Sequence, residues 1–106
     1  MTVLVKFQAL SNKTRFAIVE LARQREMSAG AIAKHFKVTR PAVSQHLRTL
    51  RRAGLLCERR VGSKRLYTVR EEGFDELAEF IENFWRLRLR KLKLAAENGE
   101  RRGNKK

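Results

Sequence analysis

The sequence is poor in cysteine, histidine, proline and acidic residues, and each shortage excludes something. One cysteine, Cys57, cannot close an internal disulfide, so the fold is not a disulfide-stapled one. The N-terminus has no basic segment followed by a long apolar run and a small-residue cleavage site, and with the lone cysteine this predicts a reducing, cytoplasmic setting. No apolar stretch approaches the roughly 20 residues that span a bilayer, so no integral membrane protein and no membrane partner is expected. Acidic residues number 11 against 25 Lys and Arg, a formal charge of +14 that favours a polyanionic partner. Hydrophobic residues make up 42% of the chain, enough apolar surface to offset the entropy lost on folding, so the chain is not expected to stay disordered. A length of 106 residues suits one domain.

The apolar residues recur with helical spacing. Val3, Leu4, Phe7 and Leu10 predict one stripe on a short first helix. Ser11 offers an N-cap to a second helix carrying Phe16, Ile18, Val19 and Leu21 and ending around Arg23 to Glu26. Ser28 caps a brief third helix with Ile32, Ala33 and Phe36 on its buried face, ending near Lys37. Thr39 caps a fourth, whose first turn tolerates Pro41 and whose buried stripe is Val43, Leu47 and Leu50. Gly54 then suits the left-handed conformation that ends a helix.

Leu55 to Arg60 and Lys64 to Val69 read as two short strands joined at Gly62-Ser63, a dipeptide suited to a type II′ hairpin. From Glu71 helical spacing returns, with Phe74, Leu77, Phe80, Ile81, Phe84, Trp85, Leu89 and Leu92 running past Lys91. The predicted fold is mainly α with a small β-hairpin: four helices, the hairpin and a fifth helix, a winged helix-turn-helix. Residues 1–96 form this domain, and 97–106 read as a basic, solvated tail.

The third and fourth helices, joined by about two residues at Val38 and Thr39, have the spacing of a helix-turn-helix whose second helix enters the major groove of double-stranded DNA. With Val43, Leu47 and Leu50 turned inward, a rotation of 100° per residue brings Pro41, Ser44, Gln45, Arg48, Thr49 and Arg52 to the opposite half. Arg40, Ser44 and Gln45 lie in the first turns and are the candidate base readers; Arg suits guanine and Gln suits adenine. Thr39, Arg48, Thr49, Arg51 and Arg52 are candidates for phosphate contacts. The hairpin adds Arg59, Arg60, Ser63, Lys64 and Arg65, against the minor groove or its phosphates. A charged helix side is usually just a solvated face; the coincidence of helix, turn and basic hairpin favours DNA.

Ala9-Leu10-Ser11, Thr14-Arg15, Val43-Ser44-Gln45-His46-Leu47, Leu50, Ala53-Gly54-Leu55, Arg59-Arg60 and Leu66-Tyr67 together resemble an ArsR-type transcriptional regulator over roughly Val5 to Trp85. The resemblance implies a dimeric repressor in which Arg40, Ser44 and Gln45 read bases. Such regulators often carry glycine where this chain has Lys37, and a Cys-x-Cys metal site where it has Ser28 and Gly30.

No metal and no cofactor is therefore expected; His35 and His46 both fall within the DNA-binding motif. The carboxylates from Glu71 to Glu82 read as ordinary complements of a helix dipole. Ser44 and His46, two apart on a helix, point about 200° away from one another and cannot act as nucleophile and base, so no enzyme is expected. His46 reads as a packed or hydrogen-bonded structural residue and Cys57 as a small core hydrophobe, with redox sensing the minority reading. Val3, Leu4, Phe7, Leu77, Phe80, Ile81, Phe84 and Trp85 offer more apolar surface than so small a domain can cover, which predicts a homodimer through the terminal helices and a palindromic operator. The competing reading is a basic architectural or RNA-binding module that touches only the backbone.

Overall fold

A computed structural model describes residues 2–101. Helix α1, Val3–Leu10, is capped by Thr2, whose hydroxyl accepts from the Val5 amide. Helix α2, Lys13–Gln24, is capped by Asn12, whose side-chain oxygen accepts from the Arg15 amide at 3.0 Å. Ser11, expected as that cap, instead closes α1: its amide and its hydroxyl both donate to the Gln8 carbonyl, at 3.2 and 2.7 Å. Strand β1, Met27–Ser28, leads into α3, Ala29–Ala33, where Ser28 caps as expected.

The third helix is shorter than predicted, and six residues separate it from α4, Arg40–Arg52. The chain goes on winding past Ala33 through tighter bonds, His35 amide to Ile32 carbonyl and Phe36 amide to Ala33 carbonyl, which bury part of Phe36 without extending the α-helix. Strands β2, Leu56–Val61, and β3, Lys64–Val69, form the predicted hairpin, with Gly62 at φ +62°. The sheet has three strands, not two. β1 pairs with β3 through Met27 opposite Tyr67 and Ser28 opposite Leu66, giving the antiparallel order β1-β3-β2. A two-residue strand has no room for the alternation by which strands are recognised in sequence.

Helix α5 spans Glu71–Arg101, so 97–101, expected in the tail, continue the helix. Ala95, Ala96 and Glu97 are strong helix formers and need no buried face to carry it on. The remainder of the predicted tail lies outside the described residues.

Ile18, Ile32, Val43, Leu47, Leu50, Leu55 and Leu56 are almost completely buried where α2, α3 and α4 meet the sheet. One expectation is corrected, that Cys57 lies in the core, and the inward faces of α1 and α2 are resolved. Phe16 is exposed, because Ile18, Val19 and Ala22 take the inward face of α2. Cys57 is exposed, because strand alternation turns Leu56 inward and its neighbour outward. In α1 the buried residues are Lys6 and Ala9, while Leu4 and Phe7 face outward. Lys6 is held by Glu76 of α5 at 2.9 Å, which satisfies an ammonium with little access to water.

Candidate nucleic-acid interface

Helix α4 is fixed from both ends and from below. The Thr39 hydroxyl accepts from the Ala42 amide at 3.2 Å, and Pro41 occupies the first turn, where a missing amide costs nothing. At the other end Gly54, at φ +80°, turns the chain away. Val43, Leu47 and Leu50 anchor the inner face, while Arg40, Ser44, Gln45, Arg48, Thr49, Arg51 and Arg52 are exposed along the outer one, with Thr39 at its start.

His46, at the edge of the buried stripe, connects this helix to α1. The Arg15 guanidinium donates to the Ala9 carbonyl at 2.6 Å and the Gln8 carbonyl at 3.3 Å, and a third nitrogen lies 3.4 Å from His46 Nδ1. Arg15 thus closes the end of α1, whose last carbonyls have no intrahelical donors, and braces the outer helix of the motif. Burial, followed by the Arg15 charge, holds the His46 pKa below the usual imidazole value, which favours the neutral ring.

The hairpin carries Arg59, Arg60, Ser63, Lys64 and Arg65 exposed, with Arg60 opposite Arg65 and Val61 opposite Lys64. The structure sorts these basic residues into two groups. Arg59 grips Glu26 through two nitrogens, at 2.7 and 2.8 Å, tying the wing to the turn after α2. That hydrogen-bonded pairing holds the Glu26 carboxyl below its ordinary pKa. Glu58 receives the Tyr67 hydroxyl at 2.8 Å and lies 3.6 Å from Arg51 and 3.9 Å from Arg65, so one carboxylate joins α4 to the wing. Burial, and then the bond to Glu58, push the Tyr67 phenol above its usual pKa. Arg40, Arg48, Arg52, Arg60 and Lys64 make no ion pair among the described residues.

Sequence reasoning gave Glu26, Glu58 and Arg15 no role in the site. Glu58 is a lone acid in an otherwise basic stretch, a pattern that marks a counter-charge; Glu26 carries no such signal. Between the first turns of α4 and the tip of the wing lies a cleft of about 430 Å³, lined by Ser28, Gly30, Arg40, Ser44, Ser63, Lys64, Arg65 and Tyr67. No group of three or more His, Cys, Asp or Glu able to hold a metal comes together among the described residues. Among those same residues no helix is long and apolar enough to cross a membrane.

Between α1 and α5, Phe7 packs edge-on against Phe80 at 5.5 Å between ring centres, and within α5 Phe84 packs against Trp85 at 5.7 Å. Leu77 is buried against the domain, whereas Phe80, Ile81, Phe84 and Trp85 are each about half exposed. Val3 is partly buried against the core.

The profile of the family described as "Bacterial regulatory protein, arsR family" matches residues 12–57. The HTH-type transcriptional regulator Rv2034 of Mycobacterium tuberculosis is 40% identical over 79 residues, covering 74% of this chain and 74% of that protein. The transcriptional repressor SdpR of Bacillus subtilis is 32% identical over 78 residues, covering 74% of this chain and 87% of its own length. Among solved structures, an ArsR-like transcriptional regulator from Rhodococcus superposes with a TM-score of 0.72 at 29% identity, over 88% of this chain and 91% of that one. The homodimeric winged helix-turn-helix DNA-binding domain of a possible ArsR-family regulator from Mycobacterium bovis gives 0.65 at 28% identity, over 77% and 76%.

Proposed function

Because this chain belongs to the arsR family of bacterial regulatory proteins, and so to the DNA-binding regulators of transcription and not to the enzymes, we propose that it is a sequence-specific homodimeric repressor acting inside the cell. Helix α4 enters the major groove, with Arg40, Ser44 and Gln45 toward the base edges and Thr39, Arg48, Thr49, Arg51 and Arg52 toward phosphates. The wing lies along the adjacent minor groove. The observation that carries this reading is the outer face of α4: a capped helix, anchored by three buried aliphatic residues, that holds an exposed serine and glutamine beside Arg40, Arg48 and Arg52, which make no ion pair among the described residues.

The dimer follows from Leu4, Phe7, Phe80, Ile81, Phe84 and Trp85, an apolar surface that one copy leaves in water. Two-fold symmetry then presents two α4 helices, and a palindromic operator with half-sites about 10 base pairs apart, or a multiple of that, matches them. Ser28 and Gly30, where Cys-x-Cys would stand, offer no thiolate, so the regulator senses no soft metal at that position.

Selection of bound fragments from a random duplex library at near-physiological salt tests the reading. A palindromic motif is the expected result, with Gln45→Ala relaxing one symmetric base position by about 1–3 kcal/mol of discrimination. Retention of all duplexes alike, or preference for RNA, would instead establish the backbone-only module.

A further inference from the structure

The wing and α4 meet at the 430 Å³ cleft. A helix in the major groove and a wing in the neighbouring minor groove are divided by one sugar–phosphate strand, because that strand is the wall between the grooves. Whatever separates the two protein elements is where the strand must pass. On the reading of α4 and the wing as DNA contacts, we infer that this cleft seats one backbone phosphate of the dividing strand, gripped by Arg40 from the helix and Lys64 from the wing.

The lining has the chemistry of an oxyanion seat. Arg40 offers a planar fork that can meet two phosphate oxygens, and Lys64 a compact ammonium. Neither has a carboxylate partner among the described residues, whereas Arg65, in the same lining, already has Glu58 behind it at 3.9 Å. Ser28, Ser44 and Ser63 bring hydroxyls. Ser28 uses its oxygen to accept from the Ala31 amide, which leaves its proton free to donate.

Gly30 gives Arg40 its resting place. A Cβ built on Gly30 would stand 3.6, 3.6 and 3.7 Å from the guanidinium carbon and its two terminal nitrogens, so the group lies flat across the glycine. An alanine fits beneath it in ordinary contact; a long side chain would occupy that place and move Arg40. One consequence concerns specificity. Arg40, placed with the base readers by its position in the first turn of α4, is on this inference reassigned to the backbone, which leaves base reading to Ser44 and Gln45.

The test uses the selected operator with single methylphosphonate linkages, each removing one phosphate charge, walked along both strands. At one linkage per half-site, neutralisation should weaken wild-type binding roughly tenfold, that of Lys64→Ala or Arg40→Ala by a clearly smaller factor, and that of the doubly substituted protein less than twofold, since only there are both contacts already gone. Gly30→Ala should keep the coupling and Gly30→Leu should lose that to Arg40. Selective, Gln45-dependent binding with no linkage coupled to either residue overturns the cleft assignment alone. Absence of selective duplex binding overturns the reading beneath it.

A free phosphate compound could use the same donors, and pyrophosphate at constant ionic strength separates the two sources. If it shifts the amide resonances of Gly30, Ser44 and Ser63 in wild type but not in the doubly substituted Arg40→Ala, Lys64→Ala protein, the seat takes phosphate from either source. Coupled linkages without such shifts assign it to the DNA strand.

Discussion

Gly73, in the first turn of α5, lies against the backbone of Gly54 so closely that a methyl group on its Cα would overlap the Gly54 carbonyl oxygen. Gly54 is itself held at φ +80°, and the adjoining Arg70 amide donates to the Leu55 carbonyl at 3.0 Å. The end of the outer helix of the motif and the start of the terminal helix are thereby in backbone contact, and the geometry of one constrains the other. Alanine favours a helix over glycine by about 1 kcal/mol. At this position the overlap should dominate, and Gly73→Ala should lower stability by about 1–3 kcal/mol. Gly99→Ala, in the same helix with open space around it, should leave the melting temperature unchanged or raised. Thermal unfolding followed by circular dichroism compares the pair, and equal responses would remove the contact from the account.

The ion pair between buried Lys6 and Glu76 gives a pH dependence. The bond from Lys6 holds the Glu76 carboxyl below its ordinary value of 4.5, against a smaller opposing effect of burial. A carboxyl whose folded pKa is depressed contributes stability that is fully present above the unfolded value and lost as pH falls through the folded one. The wild type should therefore lose stability as the pH drops below 4.5, and Glu76→Gln should lose less over that interval. Near pH 7 Glu76→Gln should be less stable than Lys6→Met, because the first leaves a buried ammonium unpaired and the second removes it. Urea titrations at several pH values measure both differences; the reverse order of the two variants would refute the argument.

Much of this was legible in the sequence because the core of the motif is strongly periodic. Val43, Leu47 and Leu50 announce the inner face of α4, and Thr39, Pro41 and Gly54 mark its ends by chemistry that acts within one turn. What escaped depends on contacts between distant residues. Met27 and Ser28 form a strand only because Tyr67 and Leu66 stand beside them. Lys6 takes an inward position that helical spacing would give to an apolar residue, and the reason is Glu76, seventy positions away. The sorting of basic side chains into paired and unpaired likewise rests on Glu26 and Glu58, which no local pattern assigns to Arg59, Arg51 or Arg65.

The outward faces of α1 and α5 make a prediction about assembly. Phe84 and Trp85, whose rings pack edge-on, are each 52% exposed, and Leu4 of α1 is 61% exposed, large apolar surfaces that a partner subunit would cover. Phe84→Glu should convert a dimer at micromolar concentration to monomer or aggregate while leaving the fold of the α4 region intact. Sedimentation equilibrium reads the mass. A wild type that is monomeric in dilute solution would dismiss both the interface and the paired half-sites.

Glu58 makes the last prediction, because it withholds charge from the surface that would meet DNA. It lies 3.6 Å from Arg51 and 3.9 Å from Arg65, and it also accepts the hydroxyl of nearly buried Tyr67. Affinity for random duplex is set by how many phosphates the protein neutralises, so a carboxylate beside two arginines should suppress non-specific binding more than base reading. Glu58→Gln keeps an acceptor for Tyr67 and removes the charge. Its affinity for scrambled duplex should rise by roughly two- to fivefold, and its salt slope should steepen by up to about two units, since each added phosphate contact contributes about 0.9. Affinity for the selected operator should rise less if those arginines are already engaged there, so the ratio of specific to non-specific binding falls. Tyr67→Phe is the control, for it deletes the hydrogen bond and retains the carboxylate, and its salt slope should match the wild type. Binding curves for both variants on both duplexes across a salt series decide the matter: a Glu58→Gln slope equal to wild type would mean that Arg51 and Arg65 never reach the backbone.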